Sequence, residues 1–456
     1  MIDFVTEYLA IIMFAVLAAL LFTGFPVGYV LGGVSLIFGL IGYGLDVFSL
    51  IEFSNLIPRI WGGAAENLVL VAVPMFIFMG IVLEKSGVAE DLLRCMQILL
   101  RRVPGGLAMA VVLMGTIMAA STGIIGASVI MITMLAMPVM IERGYARTLS
   151  AGTIAASGTL GILIPPSIML VIMADLLGIS VGTLFYGAMV PGLLLSGLYL
   201  LYVFLLSRLK PALAPPLPAD QFLLSRGELA RMVLKSFVPP AILVTLVLGS
   251  IFFGFATPTE AAGVGALGAV ILAIANRRLD RQATREVIDS VAKTLGMVFL
   301  VFIGATAFSY VFRSLGGDDI VVDALRSLDV GPWGILLILM GIIFLLGFFF
   351  DWVEIILILM PVFAPIVKIL DFGDHVPSSE VIYWFALLVA VNLQNSFLTP
   401  PFGFALFYLK GAAPPSVTIG HIYRGIIPFV MLQVIGLLLI IGFPDLALWL
   451  PRLMLE

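Results

Sequence analysis

Two stretches, "TLGILIPPSIML" (159–170) and "NSFLTPPFGFAL" (395–406), set adjacent prolines inside long apolar runs. Proline lacks a backbone donor and its ring clashes with the preceding turn, so a Pro-Pro pair breaks a helix and frees backbone groups. Freed carbonyls suit a hard cation such as Na⁺, and helix N-termini suit an anion. The neighbouring side chains agree with that chemistry. Ser157, Gly158, Thr159 and Gly161 precede the first break, and Asn392, Asn395, Ser396 and Thr399 precede the second. Two more polar or glycine-rich clusters interrupt apolar runs: "STGIIGAS" (121–128), with Ser121, Thr122, Gly123, Gly126 and Ser128, and "GFFFDW" (347–352), with Gly347 and Asp351. Hard oxygen donors without thiols or imidazoles point to an alkali cation rather than a transition metal. The single cysteine, Cys95, excludes a cysteine cluster, and His375 and His421 fall in polar connections.

Four charged residues need weighing. Asp351 falls near the middle of an apolar stretch, where a charged side chain costs about 3 kcal/mol or more on insertion scales, so it is expected to be an ion ligand or proton carrier. Glu354, one turn on, suits a structural or rim position as well as a functional one. Glu260 follows Pro258 in "ATPTEAAG", where a first-turn dipole role explains it. Arg313 lies near the end of its predicted helix and suits either snorkelling to headgroups or attraction of an anionic substrate.

The elements that hold these residues lie in a membrane. Of 456 residues, 62% are hydrophobic and 11% charged, against about 25% charged in soluble proteins, and the mean hydropathy is +1.22. The apolar stretches are long enough to cross about 30 Å of hydrocarbon and too continuous for barrel strands, so the chain is an all-α integral membrane protein. Residues 1–25 carry Asp3 and Glu7 instead of a basic start and are expected to form a retained first span. Lysine and arginine concentrate in 85–102, 143–147, 208–235, 277–293 and 410–424, which the positive-inside rule makes cytoplasmic. The acidic connections 315–330 and 371–380 then lie outside, and both termini are expected to be periplasmic.

Stretch 106–141 begins and ends beside basic residues, and 333–368 lies between acidic connections. Each is expected to be a re-entrant hairpin, the first entering from the cytoplasm and the second from outside, although a pair of full spans fits the charges equally well. "VAEDLLRCMQILLRR" (88–102) is expected to be an interfacial helix leading into the first hairpin. Pro138 and Pro361, the two proline pairs, and "YGAMVPG" (186–192) and "YRGIIPF" (423–429) recur at an offset between about 223 and 237. The chain therefore divides into a first repeat (1–207, hairpin 106–141, broken helix 148–180), a Pro-rich cytoplasmic linker (208–235) and a second repeat (236–456, hairpin 333–368, broken helix 382–412). Inverted repeats with broken helices are the mark of secondary transporters. No P-loop is present, so this chain does not use ATP by itself, and the absence of HExxH, a Ser/His pairing or a clustered acid pair argues against an enzyme.

In "ATPTEAAGVGALGA" (256–269), "RGYARTLSAGTIAASGTLGILIPPSI" (143–168), "GFFFDWVEIILILMPVFAPI" (347–366) and "NSFLTPPFGFALF" (395–407), the sequence resembles the large membrane subunit of tripartite ATP-independent periplasmic (TRAP) transporters. The resemblance covers nearly the whole chain in the family's order. "STGIIGASV" and "AASGTLG" look most like the mannitol, chloroaromatic and 2-oxoacid branch, since dicarboxylate and sialic acid members read closer to "SGSAVAD" at the first tip. The resemblance implies a Na⁺-coupled importer of a small organic anion across the bacterial inner membrane, working by an elevator movement. It also implies a small four-helix membrane subunit and a periplasmic substrate-binding protein as partners, with membrane lipid around them and no nucleic acid. Na⁺ binding is expected at Ser121, Thr122, Gly123, Ser157, Thr159, Gly161, Gly347, Asp351, Asn392, Asn395, Ser396 and Thr399. Substrate contact is expected at Ser128, Pro165, Pro166, Arg313, Asp351, Pro400 and Pro401. A proton-coupled transporter of the same architecture that needs no binding protein is the alternative.

Overall fold

A computed structural model describes residues 6, 8–123, 125–216, 225–327, 330–401 and 403–455. Among the described residues the chain is helical, with no strand. Of the helices in these residues, eight are long and apolar enough to cross a membrane, or nine when a pair bent by 58° is taken as one span.

The first of these spans is preceded by a shorter helix, α1 (Leu9–Leu21). It is followed by α2 (Val27–Gly44), α3 (Leu50–Ile60), α4 (Ala72–Lys85) and α5 (Val88–Leu99). Helices α4 and α5 are the bent pair. Val88, Leu92, Cys95 and Met96 are buried while Glu90 and Arg94 face out, the one-sided pattern expected of an interfacial helix.

Helices α6 (Gly106–Thr122) and α7 (Ile125–Glu142) form the first hairpin. Gly123 turns its tip at φ 57°, a left-handed conformation that glycine adopts without cost. Helix α8 (Arg147–Thr159), a 3₁₀ turn (Leu160–Ile162) and α9 (Ile168–Leu177) make up the first broken helix. Ser167 closes this break from both sides: its hydroxyl donates to the Ile162 carbonyl at 2.5 Å and accepts from the Leu170 amide at 3.4 Å. Thus the interruption leaves fewer orphaned groups than the two prolines alone would produce.

Helix α10 (Val181–Leu209) carries the chain to the linker. The start of the linker is docked, because Gly105 donates to the Ala214 carbonyl and Ala146 to that of Leu213. Its end is helical: α11 (Arg226–Ser236) opens on a capping box between Ser225 and Glu228. Residues 217–224 lie outside the described residues.

The second half contains α12 (Val238–Phe252), α13 (Pro258–Ala275), the 34-residue α14 (Arg281–Ser314) and the short α15 (Gly317–Ser327). Helices α16 (Gly331–Leu346) and α17 (Trp352–Lys368) form the second hairpin, and α18 (Val381–Leu398) and α19 (Phe404–Ala412) the second broken helix. Tyr423 donates to the carbonyl of Pro401 in this break at 2.7 Å. The last helices are α20 (Ile419–Gly442) and α21 (Asp445–Leu455).

Both Pro165-Pro166 and Pro400-Pro401 are cis. Helix α18 is 94% buried, whereas α13 is 33% buried, so the broken helices form the centre and α13 the periphery. The half-helices cross over: α9 packs on α17 of the second hairpin, and α19 packs on α7 of the first. Helix α14 packs against α2, α4 and α17, joining the peripheral helices to the centre.

Candidate functional site

Both hairpins reach the breaks through glycine. An added Cβ at Gly115 of α6 would lie 2.7 Å from Cβ of Ser157, and one at Gly123 would lie 2.8 Å from the Ile168 side chain. In the second half an added Cβ at Gly347 would collide with the Ser396 side chain. Each tip therefore meets its own broken helix, and these glycines permit the close approach.

The hydroxyls beside the breaks donate within their own helices. Ser157 donates to Thr153 O at 2.6 Å, Thr159 to Ala156 O at 3.0 Å, Ser396 to Leu393 O at 2.8 Å and Thr399 to Asn395 O at 2.8 Å. With its proton thus placed, each hydroxyl oxygen retains acceptor capacity. The amide oxygens of Asn395 and Gln394 are buried without a hydrogen-bond partner. Buried acceptors of this kind call for a donor, a water or a cation. These groups are all oxygen acceptors, and among the described residues no three His, Cys, Asp or Glu side chains cluster as a metal site.

Other expected ligands are placed differently. Asn392 donates to the Met340 carbonyl at 2.7 Å, tying α18 to the first arm of the second hairpin. Gly161 lies in the 3₁₀ turn. Ser128 is buried in α7, and Pro165 and Pro166 are buried at their break, while Pro401 is exposed. Ser121 and Thr122 end α6, and their side chains lie outside the described residues.

Asp351 has two relations. As N-cap of α17 it accepts from the Trp352 amide at 2.8 Å, while Glu354 accepts from the Asp351 amide at 3.3 Å. Asp351 also lines a cleft of about 230 Å³ with Ile125 and Gly126 from the first hairpin, Phe404 and Tyr408 from α19, and Lys293, Thr294 and Met297 from α14. Elements from both halves therefore meet around one carboxylate.

Lys293, Thr294, Tyr408 and Gln394 were not expected from the sequence. Lys293 reads there as part of a basic connection, and only the course of α14 brings it into the cleft that Asp351 lines. Gln394 did leave a signal, since it is an amide inside an apolar helix and such residues are functional candidates by default.

Arg313 does not join this cleft. It contacts Pro361 and Asp318 and lines a different cavity. The expected substrate residues therefore do not form one site. Glu260 accepts from the Thr257 amide at 2.8 Å and its hydroxyl at 2.9 Å, which is the helix-start role expected of it.

Residues 14–446 match the family model described as "Tripartite ATP-independent periplasmic transporter, DctM component". The chain belongs to this family. It is therefore a TRAP large permease, a multi-pass transport subunit rather than an enzyme. It is 30% identical to a C4-dicarboxylate TRAP large permease DctM of Pseudomonas aeruginosa, over 85% of this chain and 87% of that protein. It is also 30% identical to the isethionate TRAP permease DctMQ of Oleidesulfovibrio alaskensis, over 97% of this chain and 69% of that protein. The ectoine TRAP large permease TeaC of Halomonas elongata is 27% identical, over 97% of this chain and 99% of that protein. In fold, the permease is similar to the solved YdaH transporter of Alcanivorax borkumensis, with a TM-score of 0.61 and 16% identity over 86% and 87% of the two chains.

Proposed function

We propose that this permease imports a small organic anion across the bacterial inner membrane in symport with Na⁺, and that the Asp351 cleft is where the two meet. The observation that carries this is the convergence of Asp351 on the second hairpin, Gly126 on the first, Tyr408 after the second break and Lys293 on α14 around one cavity. Lys293 offers a cation to a carboxylate, and Thr294 and Tyr408 offer hydroxyls. Ser157, Thr159, Asn395, Ser396, Thr399 and Asp351 are the residues that would hold Na⁺. Bound cation charge lowers the repulsion between Asp351 and an incoming anion, which gives a physical basis for coupling.

The hairpins and broken helices act as inverted repeats and move as an elevator against α14 and its neighbours. Walls contributed by both groups of helices support this division. One Na⁺ entering down about 100 mV supplies about 2.3 kcal/mol, and a tenfold Na⁺ gradient adds about 1.4 kcal/mol. Two or three ions are enough to accumulate a monoanion strongly.

The positive-inside rule places the Arg281–Lys293 end of α14 in the cytoplasm, so the Asp351 cleft opens inward. A small membrane subunit and a periplasmic binding protein complete the transporter, as the family's tripartite description supports. The substrate class is a carboxylate, with 2-oxoacids as the first compounds to test. The deciding experiment reconstitutes the permease with its small subunit and the binding protein encoded beside it, using the ligand carried by that protein. Uptake is expected to stop when choline replaces Na⁺ and when the binding protein is omitted. Unchanged uptake in choline would overturn the coupling assignment.

A further inference from the structure

A second cavity, of about 220 Å³, lies between α3, α14, α9 and α17. Arg59, Arg313, Thr306, Ser309 and Tyr310 supply its polar lining, and Leu176, Leu357 and Pro361 contribute apolar wall from α9 and α17. On α14, 15 residues separate Thr294 of the Asp351 cleft from Ser309 of this one, about 22 Å at 1.5 Å per residue. The two cavities thus lie along one helix, at opposite ends of the boundary between core and periphery.

The two arginines are held by contacts that leave donors free. Asn55 and Arg59 share a face of α3: Asn55 donates to the Tyr310 hydroxyl at 3.3 Å, and the Arg59 guanidinium lies over the Tyr310 ring, 4.6 Å from its centroid. Among the described residues no carboxylate lies within ion-pair distance of Arg59. A stacked guanidinium keeps its N–H edge available for a planar anion.

Arg313 donates from Nη2 to the Pro361 carbonyl at 2.5 Å, and its Nε lies 3.3 Å from an Asp318 oxygen. The Pro361 carbonyl needs such a donor, because its helical partner four residues on is Pro365, which has no N–H. These two contacts leave Nη1 unused. Asp318 offsets part of the Arg313 charge from outside the lining, and the lining itself carries two arginines and no carboxylate among the described residues.

We propose that this cavity is a second anion site, which takes a small carboxylate at the extracytoplasmic face before it reaches the Asp351 cleft. Paired guanidiniums match the two oxygens of a carboxylate, and nearby hydroxyls add hydrogen-bonding capacity. That the captured carboxylate is the transported one rests on the proposed uptake function; the anion selectivity of the cavity does not.

The test is charge-selective labelling of Ser309→Cys in a Cys95→Ala background, on purified permease without a Na⁺ gradient. Native Cys95 is fully buried, and replacing it leaves the introduced cysteine as the one thiol in the chain. A sulfonate methanethiosulfonate reagent should react about tenfold faster than its trimethylammonium counterpart, after correction for their rates with free thiol, because a cationic cleft concentrates anions. Succinate should slow the anionic reagent. Arg59→Gln should bring the two rates close to equal, and Arg59→Lys should retain the preference. Thr306→Cys, one turn earlier, provides the same comparison if Ser309→Cys does not purify as a folded protein. Equal rates with Arg59 present, or an unchanged preference in Arg59→Gln, would overturn the site. Sodium-independent uptake with labelling selectivity intact would instead remove the coupling proposal and leave this cavity standing.

Discussion

Gln394 donates from Nε2 to the hydroxyl of Thr159 at 3.4 Å, joining α18 to α8 across 235 positions of sequence. That separation is the offset between the two proline pairs, and each partner stands six residues before its own pair. Corresponding positions of the two broken helices therefore touch at the centre of the molecule. The remaining Gln394 oxygen is buried without a partner, so this contact sets acceptors beside both breaks.

Thr159→Val removes the acceptor with little change of shape and leaves the Gln394 amide buried and unpaired, at a cost of about 1–3 kcal/mol. Thermal unfolding in nanodiscs should show the loss. The double variant with Gln394→Leu removes both partners and should recover most of the stability. If these oxygens serve Na⁺, it should not recover the Na⁺ concentration needed for half-maximal uptake. Recovery of both properties would make the contact purely structural.

Asp351→Asn keeps a side chain that caps α17, since Asn and Asp are comparable N-caps, and removes the charge. Expression and thermal stability should stay near wild type while Na⁺-dependent uptake falls at least tenfold. Asp351→Ala should lose uptake and, with the cap, about 1 kcal/mol of stability. Uptake by Asp351→Asn at the wild-type rate would assign the carboxylate to capping alone.

Gly425 marks a close approach between α20 and α8, where an added Cβ would fall 2.9 Å from the Thr148 carbonyl carbon and 3.1 Å from the Gly152 amide nitrogen. Gly425→Ala should force backbone movement and destabilise by about 1–3 kcal/mol. At Gly411 of α19 an added Cβ meets nothing within 4 Å, so Gly411→Ala should stabilise by up to about 1 kcal/mol through helix propensity alone. Opposite shifts in the unfolding temperature check the pair.

Glu260→Gln keeps an acceptor for the Thr257 amide, as glutamine also serves in a capping box. Uptake per folded molecule should be unchanged, measured beside Asp351→Asn in the same vesicles. Loss of uptake without loss of folding would give Glu260 a role beyond its helix start.

The positions of the breaks were legible because proline acts locally: it removes a donor whatever surrounds it, so 165–166 and 400–401 interrupt helices as the sequence requires. The helix interruptions at 123 and 347–351 were legible for a similar reason, since glycine and polar residues break the apolar runs there. The role of Glu260 also follows from its distance to Thr257.

The partners of these elements were not legible, because they depend on contacts between distant segments. Spacing does not state that α9 packs on the second hairpin and α19 on the first, or that Gln394 faces Thr159. Lys293 and Arg313 share one helix, yet tertiary packing sets Lys293 in the cleft that Asp351 lines and turns Arg313 to the carbonyl that Pro365 leaves unpaired. By itself the sequence determined a membrane chain and its two breaks. Only the packing of the helices decided which oxygens and charges face one another, since backbone satisfaction is local while side-chain encounters are not.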